Sequence, residues 1–276
     1  MKLTTPIISI DQLQKLLSLK KIVLLDATID KVNAKLDNTN PEFIPDSLFF
    51  DIEGAFSDKQ SGLPHTMVSE SVFTQEVQKL GIDKDAIIVI YDRWGVYSSP
   101  RAWWMFRYMG HQETYVLDGG LIAWKEANLP TVSAHVQTEK VGNFESNPKP
   151  NWFENKESVL KSLHQENITI TDARGTARFH GTAPEPRPGV RAGHIPSSTN
   201  LPFDSLLNGS YIKDEAELKA LFEHHVSAAK HNIFTCGSGI TASILALAAK
   251  QIGVDDIAVY DGTWAEWGSD DKLPIE

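Results

Sequence analysis

The chain has 276 residues, room for one large domain or two of ordinary size, and its 41% hydrophobic and 22% charged content is that of a globular protein. A formal net charge of −10 with a pI near 5.4 excludes a broad basic face for nucleic acid or for an anionic membrane, so any anion site must be local. A single cysteine, Cys236, excludes an internal disulfide framework and argues against a Cys-based zinc site, and the nine histidines fall at no metal-ligand spacing, so no metal or organic cofactor is expected.

The first segment, MKLTTPIISIDQLQKLL, is broken by Thr, Pro, Asp and Gln before an apolar run can build. It reads as neither a secretory leader nor a transit peptide, and no stretch approaches a membrane span, so a cytoplasmic protein is expected. Residues 22–27 (IVLLDA) form a buried strand with a polar exit. The pattern at 69–80, with apolar Val72, Phe73, Val77 and Leu80 and a following Gly81, predicts an amphipathic helix. A strand over 86–91, an aromatic-rich helix over 98–109, a strand over 114–117 and a helix over 120–127 follow. Strands alternating with helices imply an α/β fold whose mostly parallel sheet is covered on both faces. From 129 to 150 the pattern gives way to Pro130, Gly142, Pro148, Pro150 and many polar residues, a linker composition.

The same order then restarts. Ile168 to Ala173 echoes Leu24-Leu25-Asp26-Ala27, and Gly193-His194-Ile195-Pro196 echoes Glu42-Phe43-Ile44-Pro45. Leu117-Asp118-Gly119-Gly120 with Trp124 matches Tyr260-Asp261-Gly262-Thr263 with Trp267. A repeat of this length indicates duplication of a domain, with boundaries at 5–130, a linker at 131–150, and a second domain at 151–276.

Within the second half, His231-Asn232-Ile233-Phe234-Thr235 runs into Cys236-Gly237-Ser238-Gly239, and 240–250 (ITASILALAAK) has helical composition and spacing. Cys236 therefore sits on a strand-to-helix turn. Gly237 and Gly239 free the backbone to curl around the sulfur, and the loop amides and helix start favour an anion, a thiolate included. An inert buried cysteine is the bland alternative. In the repeat register Asp92 takes the place of Cys236, so the first half lacks a nucleophile.

Cys236-Gly-Ser-Gly-Ile-Thr-Ala resembles the active-site loop of the two-domain rhodanese family, and within it the members that use 3-mercaptopyruvate; thiosulfate-specific members carry basic residues after the cysteine. The resemblance extends over nearly the whole chain through Asp118-Gly119-Gly120, Trp124, the Asp261-Gly262-Thr263-Trp264-Ala265-Glu266-Trp267 stretch and Gly193-His194-Ile195-Pro196. It implies two tandem rhodanese-like domains, each a mostly parallel sheet flanked by helices, the first inactive. It also implies a sulfurtransferase that moves sulfane sulfur from 3-mercaptopyruvate through a Cys236 persulfide, cradled by Gly237, Ser238, Gly239, Ile240 and Thr241, to cyanide or a thiol such as thioredoxin.

Arg174, Arg178, Arg187 and Arg191 fall in one loop-like segment, where the prolines of Pro184-Glu185-Pro186-Arg187-Pro188-Gly189 deny regular structure. A guanidinium fork suits a carboxylate or keto-acid. The resemblance assigns substrate binding to Arg178 and Arg187; Arg174 reads as an ion-pair partner and Arg191 as a neighbour. It also implies a relay from Ser238 through His65 to an acid at Glu53, where the family usually has Asp; Asp51 is the nearby alternative. Three rivals remain on the sequence alone. Thiosulfate:cyanide transfer is disfavoured by the missing basic residues, and a cysteine-dependent phosphatase or arsenate reductase by the missing closing arginine. The third is a non-enzymatic sulfur carrier or interaction module.

Overall fold

The computed structural model describes residues 3–17 and 22–276, so Met1 and Lys2 at the head of the N-terminal segment lie outside the described residues. The chain divides into two compact units. Among the described residues, the first comprises those up to Ser57, Met67–Pro148 and Gly209–Ile212; the second comprises Asp58–Thr66, Lys149–Asn208 and Lys213–Glu276.

In the first unit the elements are β1 (Ile7–Ile8), α1 (Ile10–Leu17), β2 (Ile22–Asp26), β3 (Ser47–Phe49), α2 (Glu70–Lys79), β4 (Ile87–Tyr91), α3 (Ser99–Tyr108), β5 (Thr114–Leu117) and α4 (Gly120–Glu126). The sheet order is β1-β5-β4-β2-β3 with every neighbouring pair parallel. The central strand β4 (IIVIY) is an unbroken apolar run because helices cover both faces. Ser69 caps α2 by accepting from the Val72 amide. A cluster around Leu13, Val89, Tyr91 and Leu117 fills one side, and Phe50, Phe56, Phe73, Phe106 and Phe144 pack ring against ring in another.

The stretch after α4 has no helix or strand up to Pro148, yet it is fastened to the first unit. Val132 bridges Phe43, the Gly142 amide donates to Gln78 O at 2.8 Å, the Phe144 amide to Ile82 O at 3.1 Å, and the Asn147 amide to Met109 O at 2.8 Å. Piecemeal bonding of this kind tolerates proline and polar residues while burying the Phe144 ring completely.

The second unit repeats the plan with β6 (Phe153–Glu154), α5 (Lys156–Ser162), β7 (Ile168–Asp172), α6 (Thr176–Phe179), β8 (Thr199–Asn200), β9 (Leu207–Asn208), α7 (Glu215–Phe222), β11 (His231–Thr235), α8 (Ile240–Gln251), β12 (Ile257–Tyr260) and α9 (Thr263–Trp267). The short β10 (Tyr211–Ile212) lies in the stretch that belongs to the first unit. The sheet order β6-β12-β11-β7-β8, all parallel, is that of the first unit strand for strand. The α8 helix is apolar nearly all round and has nine buried residues, which fits a helix enclosed by its own unit. No described helix is long and apolar enough to cross a membrane.

Candidate active site

β11 is buried from Asn232 onward and is held on both sides, by β7 and β12. Its register pairs Thr235 with Asp172, so Cys236 and the start of the arginine segment emerge together at the carboxyl end of the sheet, where open α/β sheets bind ligands. The chain then turns through Gly237 and Ser238 to Gly239, which caps α8 in the left-handed conformation at φ 84°. The turn folds back on the sulfur: the Gly239 amide donates to Cys236 Sγ at 3.1 Å and the Ser238 amide at 3.5 Å. Cys236 is buried, and its carbonyl accepts from the Trp264 amide at the start of α9 at 2.8 Å. Ile240 and Thr241 are the first two residues of α8, and the N–H groups there have no acceptor within the helix. Of the five expected loop residues, Ser238 and Gly239 bring their amides to the sulfur, and amides so placed suit an anion.

The arginines separate into different jobs. Arg174 is enclosed: it forks onto Asp172 (Nη2 to Oδ2 at 2.7 Å, Nε to Oδ2 at 2.9 Å), donates to Gly193 O, and lies over the Trp264 ring. Its remaining nitrogen, Nη1, donates to the buried Glu185 at 2.9 Å. Glu185 in turn grips Arg178, through Nη2 at 2.5 Å and Nε at 3.2 Å. Arg178 stands on the one-turn helix α6, in a segment read from sequence as loop, and its Nη2 lies 3.0 Å from where a Cβ on Gly237 would stand. Arg187 is half-buried and donates from Nη1 to Gly237 O at 3.3 Å. Arg178 and Arg187 therefore both reach the residue next to Cys236. Arg191 does not; its guanidinium is distributed over the carbonyls of Trp267, Gly268, Asp270 and Leu273.

His65 comes from the first half of the sequence but belongs to the second unit, on a loop closed at its base by the Asp58 amide and Thr66 O. It sits in the left-handed region at φ 59°, and Nδ1 lies 3.3 Å from Ser238 O. The ring thus meets the main chain of Ser238 rather than its hydroxyl, and that hydroxyl makes no hydrogen bond among the described residues. Glu53 is exposed in the first unit, while the nearby Asp51 accepts from the Gly54 amide at 2.8 Å and caps its own turn. No sequence expectation gives Glu185 a role. A lone acid between two arginines was the available signal for Glu185. Among the described residues, no group of three His, Cys, Asp or Glu side chains could hold a metal ion.

The first unit carries a longer amide-lined turn with a different occupant. Asp92 Oδ2 accepts from the Tyr97, Ser98 and Ser99 amides at 2.8 to 2.9 Å, and Oδ1 from the Trp94 amide at 2.9 Å. The Asp92 carbonyl accepts from Leu121, at the start of α4, as that of Cys236 does from Trp264.

The family model described as Rhodanese-like domain matches residues 9–127 and 155–270. The chain is 36% identical over 278 residues to a 3-mercaptopyruvate sulfurtransferase of Escherichia coli (strain K12), covering 99% of this chain and 98% of that protein. It is 40% identical over 228 residues to the 3-mercaptopyruvate sulfurtransferase of Mus musculus, covering 81% and 76%. Among solved structures it resembles SseA from Escherichia coli, with a TM-score of 0.83 and 33% identity over 95% of this chain and 99% of that one. It also resembles Tum1 from Saccharomyces cerevisiae, with a TM-score of 0.86 and 32% identity over 96% and 95%. Two copies of one domain along a single chain, alike from end to end to proteins of that architecture, establish that this chain belongs to the rhodanese family as a tandem-domain member.

Proposed function

We propose that the chain is a 3-mercaptopyruvate sulfurtransferase in which 151–276 is the catalytic domain, 5–130 a domain without a nucleophile, and 131–150 the segment that joins them. The observation that carries the reading is a cysteine sulfur accepting two loop amides at the mouth of a helix, with two guanidinium groups directed at the next residue. The likeness to enzymes named for this donor, two of them at 36% and 40% identity, supports it.

In this reading Arg178 and Arg187 hold the carboxylate and keto oxygen of the donor. The Cys236 thiolate attacks the donor sulfur; the new S–S bond forms as the C–S bond breaks, and the electron pair leaves as pyruvate enolate. The thiol proton ends on the enolate carbon, giving pyruvate, and Ser238 with His65 carries it there. The terminal sulfur of the persulfide takes its hydrogen bonds from the amides of the 237–241 loop. A thiol, thioredoxin among them, or cyanide then removes that sulfur and restores the thiolate, in the cytoplasm.

A second donor has a specific observation behind it: a relative from Arabidopsis thaliana, 35% identical over 98% of this chain, is named for both thiosulfate and 3-mercaptopyruvate. Intact-mass measurement after exposure to 3-mercaptopyruvate tests the core of the reading. The unmodified protein should gain one sulfur and release pyruvate, and Cys236→Ser should do neither while remaining folded by circular dichroism. Sulfur uptake by the serine variant overturns the assignment of the nucleophile.

A further inference from the structure

We propose that Glu185 is a specificity-determining residue: by holding Arg178 as a neutralised pair, it matches the site to a donor with a single negative charge. Resting on the sulfurtransferase reading above, this names the donor class as monoanionic thiol acids and sets dianionic donors apart from it.

The Glu185 side chain is 4% exposed and bonds two guanidinium groups, so it cannot turn away into water. One oxygen takes Arg174 Nη1 and Arg178 Nε, the other Arg178 Nη2. Arg174 is already paired to Asp172, with both side chains at most 1% exposed. Asp172, Arg174, Glu185 and Arg178 therefore form a chain of two anions and two cations whose charges cancel. Only Arg178 is appreciably open, at 28%, and it is the member that lies against Gly237. An incoming anion meets fixed N–H donors there without excess positive charge from this cluster. Directional donors suit one carboxylate beside a carbonyl. A dianion gains more from net charge, because Coulombic attraction scales with the product of the charges.

Glutamine at 185 keeps the shape and an acceptor oxygen but leaves the cluster with one net positive charge. The efficiencies with thiosulfate and with 3-mercaptopyruvate, cyanide being the common acceptor, should be measured for the full chain, Glu185→Gln and Glu185→Asp at two ionic strengths. The Gln variant should move the thiosulfate-to-mercaptopyruvate ratio towards thiosulfate by at least about tenfold, and the shift should shrink in high salt. The Asp variant keeps the charge and should hold the ratio within about threefold while both efficiencies fall. A structural role alone would lower both donors together, and an unmoved ratio in the Gln variant overturns the proposal.

A measurement on the unmodified protein applies even where the Gln variant does not fold. At equal ionic strength pyruvate should inhibit more strongly than sulfate, and sulfate inhibition equal to or stronger than that of pyruvate overturns the charge match. An unmodified protein that prefers thiosulfate outright rejects the donor reading of the previous section, whereas the response of the ratio to Glu185→Gln judges Glu185 by itself.

Discussion

Gly237→Ala isolates the placement of Arg178 from its charge. The backbone at 237 is outside the left-handed region, so alanine is not itself strained there, but its methyl would stand 3.0 Å from Arg178 Nη2. Comfortable carbon contacts begin near ~3.5 Å, so the guanidinium must retreat by about half an ångström. Glu185 holds that guanidinium through two hydrogen bonds, so retreat loosens the pair instead of following a free rotation. If a 1 Å error in a positioning group costs about a hundredfold, half of it on a logarithmic scale is about tenfold in kcat/KM, or ~1.4 kcal/mol. Stability should change by less than about 1 kcal/mol, since replacing glycine also removes freedom from the unfolded chain. The assay is pyruvate release over a range of 3-mercaptopyruvate, with Tm measured in parallel. Gly175→Ala, where nothing lies within 4 Å of the new methyl, is the control and should be silent. An efficiency within about twofold of wild type for Gly237→Ala would show that Arg178 does not work from this position.

Arg187→Ala should cost about 2 kcal/mol or more in kcat/KM, roughly thirtyfold, with Lys restoring only part because it lacks the fork; near-wild-type kinetics would remove Arg187 from the site. The pH dependence of stability should carry the mark of His231, whose ring meets Glu154 at 2.9 Å and Asp256 at 2.7 Å. The hydrogen bond to Glu154, joined by that to Asp256, raises the His231 pKa against the opposing effect of burial. A raised folded-state value means that the protonated ring stabilises the fold; the contribution is complete below the unfolded value of about 6.5 and is lost as pH climbs through the folded one. His231→Gln should therefore lower Tm more at pH 6 than at pH 9, and equal losses at both would contradict the linkage.

Much of the fold was readable because its central strands announce themselves. β4 is a short apolar run ended by a polar residue, β11 has an apolar pair just before the cysteine turn, and α2 carries a cap and a stop. The edge strands β1 and β8 have two residues each, too few for any period to register, and pairing with a neighbour alone defines them. α6 is a single turn, so Arg178 read as a loop residue. At the site, the cysteine turn was legible from two glycines before an apolar helix. The division among four nearby arginines came from the resemblance and not from their spacing, because sequence shows where guanidinium groups start and not which oxygens they reach. Arg191 ends on carbonyls of the last 10 residues and Arg187 on that of Gly237, both contacts with distant parts of the chain, whereas Arg174 ends on its near neighbour Asp172. The placement of His65 beside Ser238 is equally nonlocal, 173 residues apart along the chain.

The two halves build one amide-lined turn around two different side chains, a carboxylate and a cysteine sulfur. In both units the residue that follows the central strand, Asp92 or Cys236, has its carbonyl clamped by an amide from the helix after the last strand of the repeat. In the first unit the path from Asp92 to α3 runs through residues 93–98, and this longer loop wraps the carboxylate with main-chain donors, to which Ser99 Oγ adds a fifth contact at 2.7 Å. The carboxylate is fixed, fully buried and chemically saturated. In the second unit only residues 237–239 separate Cys236 from α8, and two amides reach the sulfur. The first amides of α8, like those of any helix, have no acceptor within the helix, and in the reading proposed above they are the donors a second sulfur would meet. The amide-lined turn is thus common to both copies of the domain. In the reading proposed above, the second copy makes this turn reactive by shortening the loop and replacing a carboxylate saturated with hydrogen bonds by a sulfur nucleophile.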